Sequence, residues 1–339
     1  MRMGLIGFAD ETYLGNLLMT RNRHLRWERW PFAEADALWV NGQHVVALPD
    51  HMVRVPSAHS GQPAAVLNLR EIGRPVAFTL PLATGLQPPE SFDPRVAASV
   101  ARILTRFEKA LMPLAVRLVL AAELARRRDE LSSPTYHLSV DGQVVAVVNV
   151  NGNVGIAPHL TPDALAGAHW GGRPSAASAI PAAFATTSMV QVMWQYATRA
   201  HDDLLPARFR SAPLHLRSMP AVDPRLLRNT HLRVISALKA GPRTVSQLRE
   251  ATGMSDAAVL RAITALYFAG SIALDAPRAT SDGPARTSGA MWATRPSFSR
   301  LPHAQRASWR GAAAGDPHAG RRDLVDMPTV WTPQRGEDG

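Results

Sequence analysis

The chain has 339 residues, 46% of them apolar and 19% charged, enough for two or three domains with cores of their own. It contains no cysteine, which excludes disulfides, thiolate metal sites and cysteine nucleophiles, and no apolar run reaches the ~18 residues of a membrane span. Half of the net charge of +10 lies in residues 224–274, where seven bases stand against two acids; such a local excess attracts polyanions.

In chain order, Met3 to Phe8 reads as a short buried strand and Glu11 to Arg21 as a helix entered through Asp10. The apolar start is too short for a signal peptide, so a cytoplasmic location is expected. Strands follow at Leu25 to Trp30, Ala37 to Val40, Val45 to Leu48, Val53 to Val55, Ala64 to Leu69 and Pro75 to Leu80, separated by Pro, Gly and Ser. This order predicts a small α/β domain over residues 1–90. A second domain is expected over 93–206. It opens on a helical pattern from Pro94 to Leu131, which Pro113 should kink or split. The broad apolar coverage of 94–131 makes it the expected homodimer surface. Tyr136 to Val140 and Gln143 to Val150 flank Asp141-Gly142, a dipeptide suited to a type I′ hairpin turn. Val154 to Ala157 would be a third strand, 160–185 a loop-rich stretch, and Thr186 to Ala200 a helix with Met189, Val192, Met193 and Tyr196 on one face.

Residues 224–296 carry the most specific pattern. Pro224 to Lys239 reads as a helix closed by Gly241-Pro242. Thr244 and Gln247 have capping-box spacing, and the helix they start ends at Gly253. Ser255 can cap a third helix, Asp256 to Ala269, closed by Gly270. Ile272 to Leu274, Pro277 to Gly289 and Met291 to Thr294 follow as strand, loop and strand. This stretch resembles the winged helix-turn-helix superfamily. The resemblance implies a third helix lying in the DNA major groove and a wing touching the backbone. On a helical wheel, Val259, Leu260, Ile263, Leu266 and Tyr267 form the core face of that helix. Ala257, Ala258, Arg261, Thr264, Ala265 and Phe268 form the other, on which Arg261 alone can contact a base bidentately. The expected DNA contacts are therefore Arg225, Arg228, Arg243, Ser255, Arg261, Thr264, Arg278 and Arg286, most of them to phosphate. The same face suits a protein partner docking on Ala257, Arg261, Ala265 and Phe268.

The N-terminal residues resemble a shortened response-regulator receiver domain. Asp10 and Glu11 follow the first strand where receivers carry an acidic pair. Asn41 stands where the phosphoacceptor aspartate is expected, and Thr79-Leu80-Pro81 lacks the lysine that precedes proline in the family. The resemblance thus implies a degenerate, partner-binding domain without phosphorylation at that position. No phosphate loop, dinucleotide fingerprint, zinc-protease motif or nucleophile elbow is present. His201-Asp202-Asp203 reads as a solvated helix end, and Trp27 and Trp30 with Arg26 and Arg29 as core and edge of a strand.

The fold class expected is α+β multidomain with a disordered tail over 300–339. The expected function is a non-enzymatic regulatory protein, without metal or cofactor, whose winged helix binds DNA. The alternative is a signalling or scaffold protein in which that domain docks protein.

Overall fold

The computed structural model describes residues 1–8, 25–56, 64–70, 72–83, 85–200 and 204–275, and the chain is α+β. The predicted helix over 11–21, the cluster at 201–203, the wing with Arg278 and Arg286, the returning strand at 291–294 and the tail lie outside these residues.

The N-terminal region runs through β1 (Arg2–Ile6), β2 (Glu28–Arg29), β3 (Ala37–Val40), β4 (Val46–Ala47), β5 (Met52–Val55), β6 (Ala65–Asn68), β7 (Val76–Thr79) and β8 (Ser91–Phe92). Strands β4, β5 and β6 form a separate antiparallel sheet. The others lie side by side as β2-β1-β3-β7-β8, every pair parallel. With the antiparallel trio set aside, that is the order 2-1-3-4-5 of flavodoxin-like open sheets. The trio follows β3, packing Val53, Val55 and Leu67 against Leu38, Val40 and Phe78 on one face of the parallel sheet. A helix covers the other face, so β3 and β7 are buried throughout, as their near-continuous apolar runs require.

That helix, α1 (Ala97–Arg126), has 30 residues, about 45 Å at 1.5 Å per residue. It runs unbroken through Pro113, contrary to the expected split. The proline removes only the hydrogen bond to the carbonyl of Lys109, an exposed residue. Each half packs into a different core. Ile103, Phe107 and Leu111 pack with Trp27, Trp39 and Phe92, whereas Leu120, Ala121 and Leu124 belong to the next core. The apolar face of 94–131 is therefore covered by the chain's own strands and helices, and the feature that suggested a dimer surface is not exposed.

The second core is built on β9 (Thr135–Val140), β10 (Gln143–Asn149) and β11 (Asn153–Ile156), an antiparallel meander. Asp141 (φ 51°) and Gly142 (φ 78°) make the predicted hairpin turn. The stretch read as loop contains α2 (Pro162–Ala166), capped by Thr161, and β12 (His169–Arg173), which pairs with β9. The glycines at 171 and 172 masked that edge strand. Strand β13 (Ala185–Ser188) closes the opposite edge beside β11 and leads into α3 (Met189–Ala197).

Beyond α4 (Arg208–Ser211), strand β14 (His215–Leu216) precedes α5 (Asn229–Lys239), α6 (Val245–Thr252), α7 (Asp256–Phe268) and β15 (Ile272–Ala273), which pairs antiparallel with β14. Helix α5 starts later than expected, because Pro224–Leu226 forms a separate 3₁₀ turn. The Thr244 N–H donates to Gln247 Oε1 at 2.9 Å and the Gln247 N–H to Thr244 Oγ1 at 3.3 Å, closing a reciprocal cap. Gly253 takes the left-handed position at φ 63°. The buried core continues from α1 through the central sheet into α5–α7.

Candidate functional site

Helix α7 is buried far more completely than its pattern implies. Of its core face Val259, Ile263, Leu266 and Tyr267 are buried and Leu260 half-buried, but Thr264 is 7% exposed, Ala265 0% and Phe268 4%. Helix α3 packs against α7. Thr264 Oγ1 donates to the Leu260 carbonyl at 2.7 Å and so offers nothing outward. The expectation that Thr264 contacts DNA, and that Ala265 and Phe268 form an open docking face, is corrected accordingly. At the same end of α7, Arg128 Nη2 donates to the Tyr267 hydroxyl at 2.6 Å, tying the end of α1 to α7.

The other end of α7 faces the N-terminal region across a concentration of charge. Asp36, buried at the entry to β3, accepts from Arg199 Nη2 at 2.6 Å and Nε at 3.1 Å, and its second oxygen accepts from the Arg2 N–H at 3.0 Å. The Arg2 guanidinium, over the Trp30 ring at 4.1 Å, donates in return to the carbonyls of Thr198 and Arg199 at 3.2 and 2.9 Å. It thus places a cation at the C-terminus of α3, where the helix dipole favours one. Burial, and then Arg199, bring the Arg2 pKa down to about 10, so it stays charged at neutral pH.

Beside this clamp lies a cleft of about 20 Å³ lined by Glu34, Thr198, Arg228, Thr230, His231 and Arg261. Glu34 accepts from Trp30 Nε1 at 3.0 Å and lies 4.0 Å from Arg2. Burial works to raise its pKa, but the Trp30 hydrogen bond and the fields of Arg261, Arg228 and Arg2 carry it below the usual carboxylate value. His231 is 4% exposed and packs on Trp194 with ring centroids 4.8 Å apart. Its Nδ1 accepts from the Arg228 N–H at 3.0 Å. Burial, then the Arg228 charge, push its pKa down to about 4. At neutral pH the ring is therefore neutral and carries its proton on Nε2, a donor and not a base.

The remaining predicted residues are scattered. Arg225 is exposed. Arg243 Nε donates to the Ala237 carbonyl at 3.1 Å, and its backbone bridges to Leu214. Ser255 Oγ caps α7 by accepting from the Ala258 N–H at 3.4 Å, and Ala257 is exposed beside it. Of the predicted contacts, only Arg228 and Arg261 share the cleft. Asn41, at the end of β3, uses its amide locally: Nδ2 donates to the Gly7 carbonyl at 2.9 Å and Oδ1 accepts from the Gln43 N–H at 3.2 Å. Trp27 is core, as read. Residues the sequence did not single out are Arg2, Glu34, Asp36, Thr198, Arg199, Thr230 and His231.

Among the described residues, no group of three or more His, Cys, Asp or Glu side chains is placed to hold a metal ion, and no helix is long and apolar enough to cross a membrane. Compared with protein-family models, curated proteins and solved structures, the chain matches none.

Proposed function

We propose that this chain is a non-enzymatic, cytoplasmic regulatory protein whose winged helix is a protein-docking module, docked on the chain's own central domain. The burial of Thr264, Ala265 and Phe268, in a helix that packs against α3, carries this reading. A helix that reads bases must offer polar side chains to the groove, and the C-terminal half of that face, Thr264, Ala265 and Phe268, is buried. The reciprocal Arg2–Asp36–Arg199 contacts support the N-terminal domain's role as a partner in the same assembly. Its parallel strand order supports a receiver-like origin. The amide at Asn41, engaged on both sides, supports a structural use of the acceptor position. Neutral His231, with Nδ1 engaged, makes the cleft a poor place for base catalysis.

A second reading keeps DNA as the partner through phosphate contacts alone. Arg225, Arg233 and Lys239 favour it: all are exposed and outside every ion pair among the described residues. Binding of a random-sequence 25-base-pair duplex to the full chain, followed across a salt titration, separates the two. The docking reading expects no binding at ~50 mM salt, where non-specific contact is strong. Micromolar binding that falls steeply with salt would overturn it in favour of DNA.

A further inference from the structure

We propose that α1 is hinged at Pro113 and that the Arg2–Asp36–Arg199 clamp is the latch of that hinge, holding the N-terminal region closed over the N-terminal ends of α5 and α7. The device operates whichever partner the winged helix takes.

The apolar packing divides at one point of the chain. The two clusters that contain residues from 1–92 reach no further than Ala115, and the cluster of the central sheet and winged helix contains nothing before Val116. Among the described elements, α1 packs on β8 before it and on α2 and α3 after it. No element before α1 packs as extensively on any element after it. The two bodies share one helix and no apolar seam. Pro113 stands within one turn of the divide. It is exposed, and it leaves the carbonyl of Lys109 without its helical N–H donor. A long helix bends most easily where a proline interrupts its ladder of hydrogen bonds.

The contacts that join the bodies away from α1 are polar. Asp36, its side chain 1% exposed, accepts from Arg199 Nη2 and Nε. Arg2 donates across the same divide to the carbonyls of Thr198 and Arg199. Beside them Glu34 faces Arg228 and Arg261 across a gap of about 20 Å³, room for about one water. Domains meeting through a small polar contact move relative to each other, because only a large apolar interface fixes them. The closed state also carries the desolvation of Asp36 and Arg199, which opening returns to water. Loss of one partner tips the balance further, since the charge left behind is solvated only in the open state. Opening separates Glu34 from Arg228 and Arg261 and bares the starts of both helices.

The test is double electron–electron resonance on the full chain, which has no cysteine, so that nitroxides attach only where cysteines are introduced. Exposed Gln43 and Ser246 report across the divide, and exposed Gln143 and Ser246 report between the central sheet and the winged helix. The otherwise unmodified chain should give one narrow distance distribution for each pair. Arg199→Gln and Arg2→Gln should each shift the closed-to-open ratio by about tenfold or more, the size of one charge-assisted contact. The shift is read as a second population at another distance for the first pair, with the second pair unchanged. Pro113→Ala restores the missing hydrogen bond at an exposed site and should cut that population by about half or more in the Arg199→Gln chain. A first pair that stays narrow in both arginine variants overturns the latch. A second population untouched by Pro113→Ala overturns the hinge, and broadening of both pairs overturns the division into two bodies.

Discussion

The two ends of α7 are held by different physics. At the C-terminal end, Ala265 and Phe268 are sealed in apolar packing, with Phe268 edge-on to Tyr267 at 5.3 Å. At the N-terminal end, Arg261 looks across a small polar cleft at Glu34. An apolar seam is untouched by ionic screening and is either packed or broken, because close-packed interiors have few intermediate arrangements. A cleft lined by charge responds to pH, ions and ligands. One helix thus carries a fixed end and a tunable end, and the N-terminal region meets the tunable one.

The comparison breaks most visibly at the seam. Phe268→Ala should destabilise the protein by about 3–5 kcal/mol, the range for truncating a buried aromatic. It would appear as a lower denaturant midpoint whose drop is the same at low and high salt. Unchanged stability would mean that α3 does not hold α7. The next largest effect lies in the clamp. Asp36→Asn leaves the guanidinium of Arg199, 15% exposed, without its counter-charge, at a cost of about 3 kcal/mol. A double-mutant cycle with Arg199→Met should recover much of that loss, since removing both charges also removes the desolvation penalty. A double mutant as unstable as the sum of the singles would show that the pair is not coupled.

What the sequence disclosed was local. The Asp141-Gly142 turn, the Thr244–Gln247 cap, the Gly253 stop and the buried run of β3 depend on residues a few positions apart, and each formed as read. Local pattern does not report what covers a helix from elsewhere. The wheel of α7 has one strongly apolar face, and nothing in it announces the burial of Thr264, Ala265 and Phe268 on the other. Continuity of α1 through Pro113 likewise depends on two cores that no single window contains. The cleft draws Glu34, Thr198, Arg228 and Arg261 from separate elements, so no spacing could announce it. One signal was available. Arg2 and Asp36 are charges at the entries of β1 and β3, strands otherwise apolar, and a charge at such a position requires a partner.

The smallest of the three effects sharpens the description of the tunable end. His231 is held neutral in the folded state, its pKa brought from 6.5 down to about 4 by burial and Arg228. In the unfolded chain the ring takes up a proton as pH falls through 6.5, while the folded ring does not until about pH 4. The unfolded state therefore binds more protons across that window, and stability falls as the solution is acidified. Between pH 6.5 and 5 the loss from this one group is about 1.5 kcal/mol. Glu34 adds nothing in that interval, because its depressed pKa places its own loss of stability below the ordinary carboxylate range. His231→Gln isolates the effect. Glutamine at the third position of α5 can still accept from the Arg228 N–H, as in a capping box, but does not titrate. Chemical denaturation at several pH values should then show a shallower acid slope for the variant. Equal slopes would mean that the ring is already charged in the folded protein.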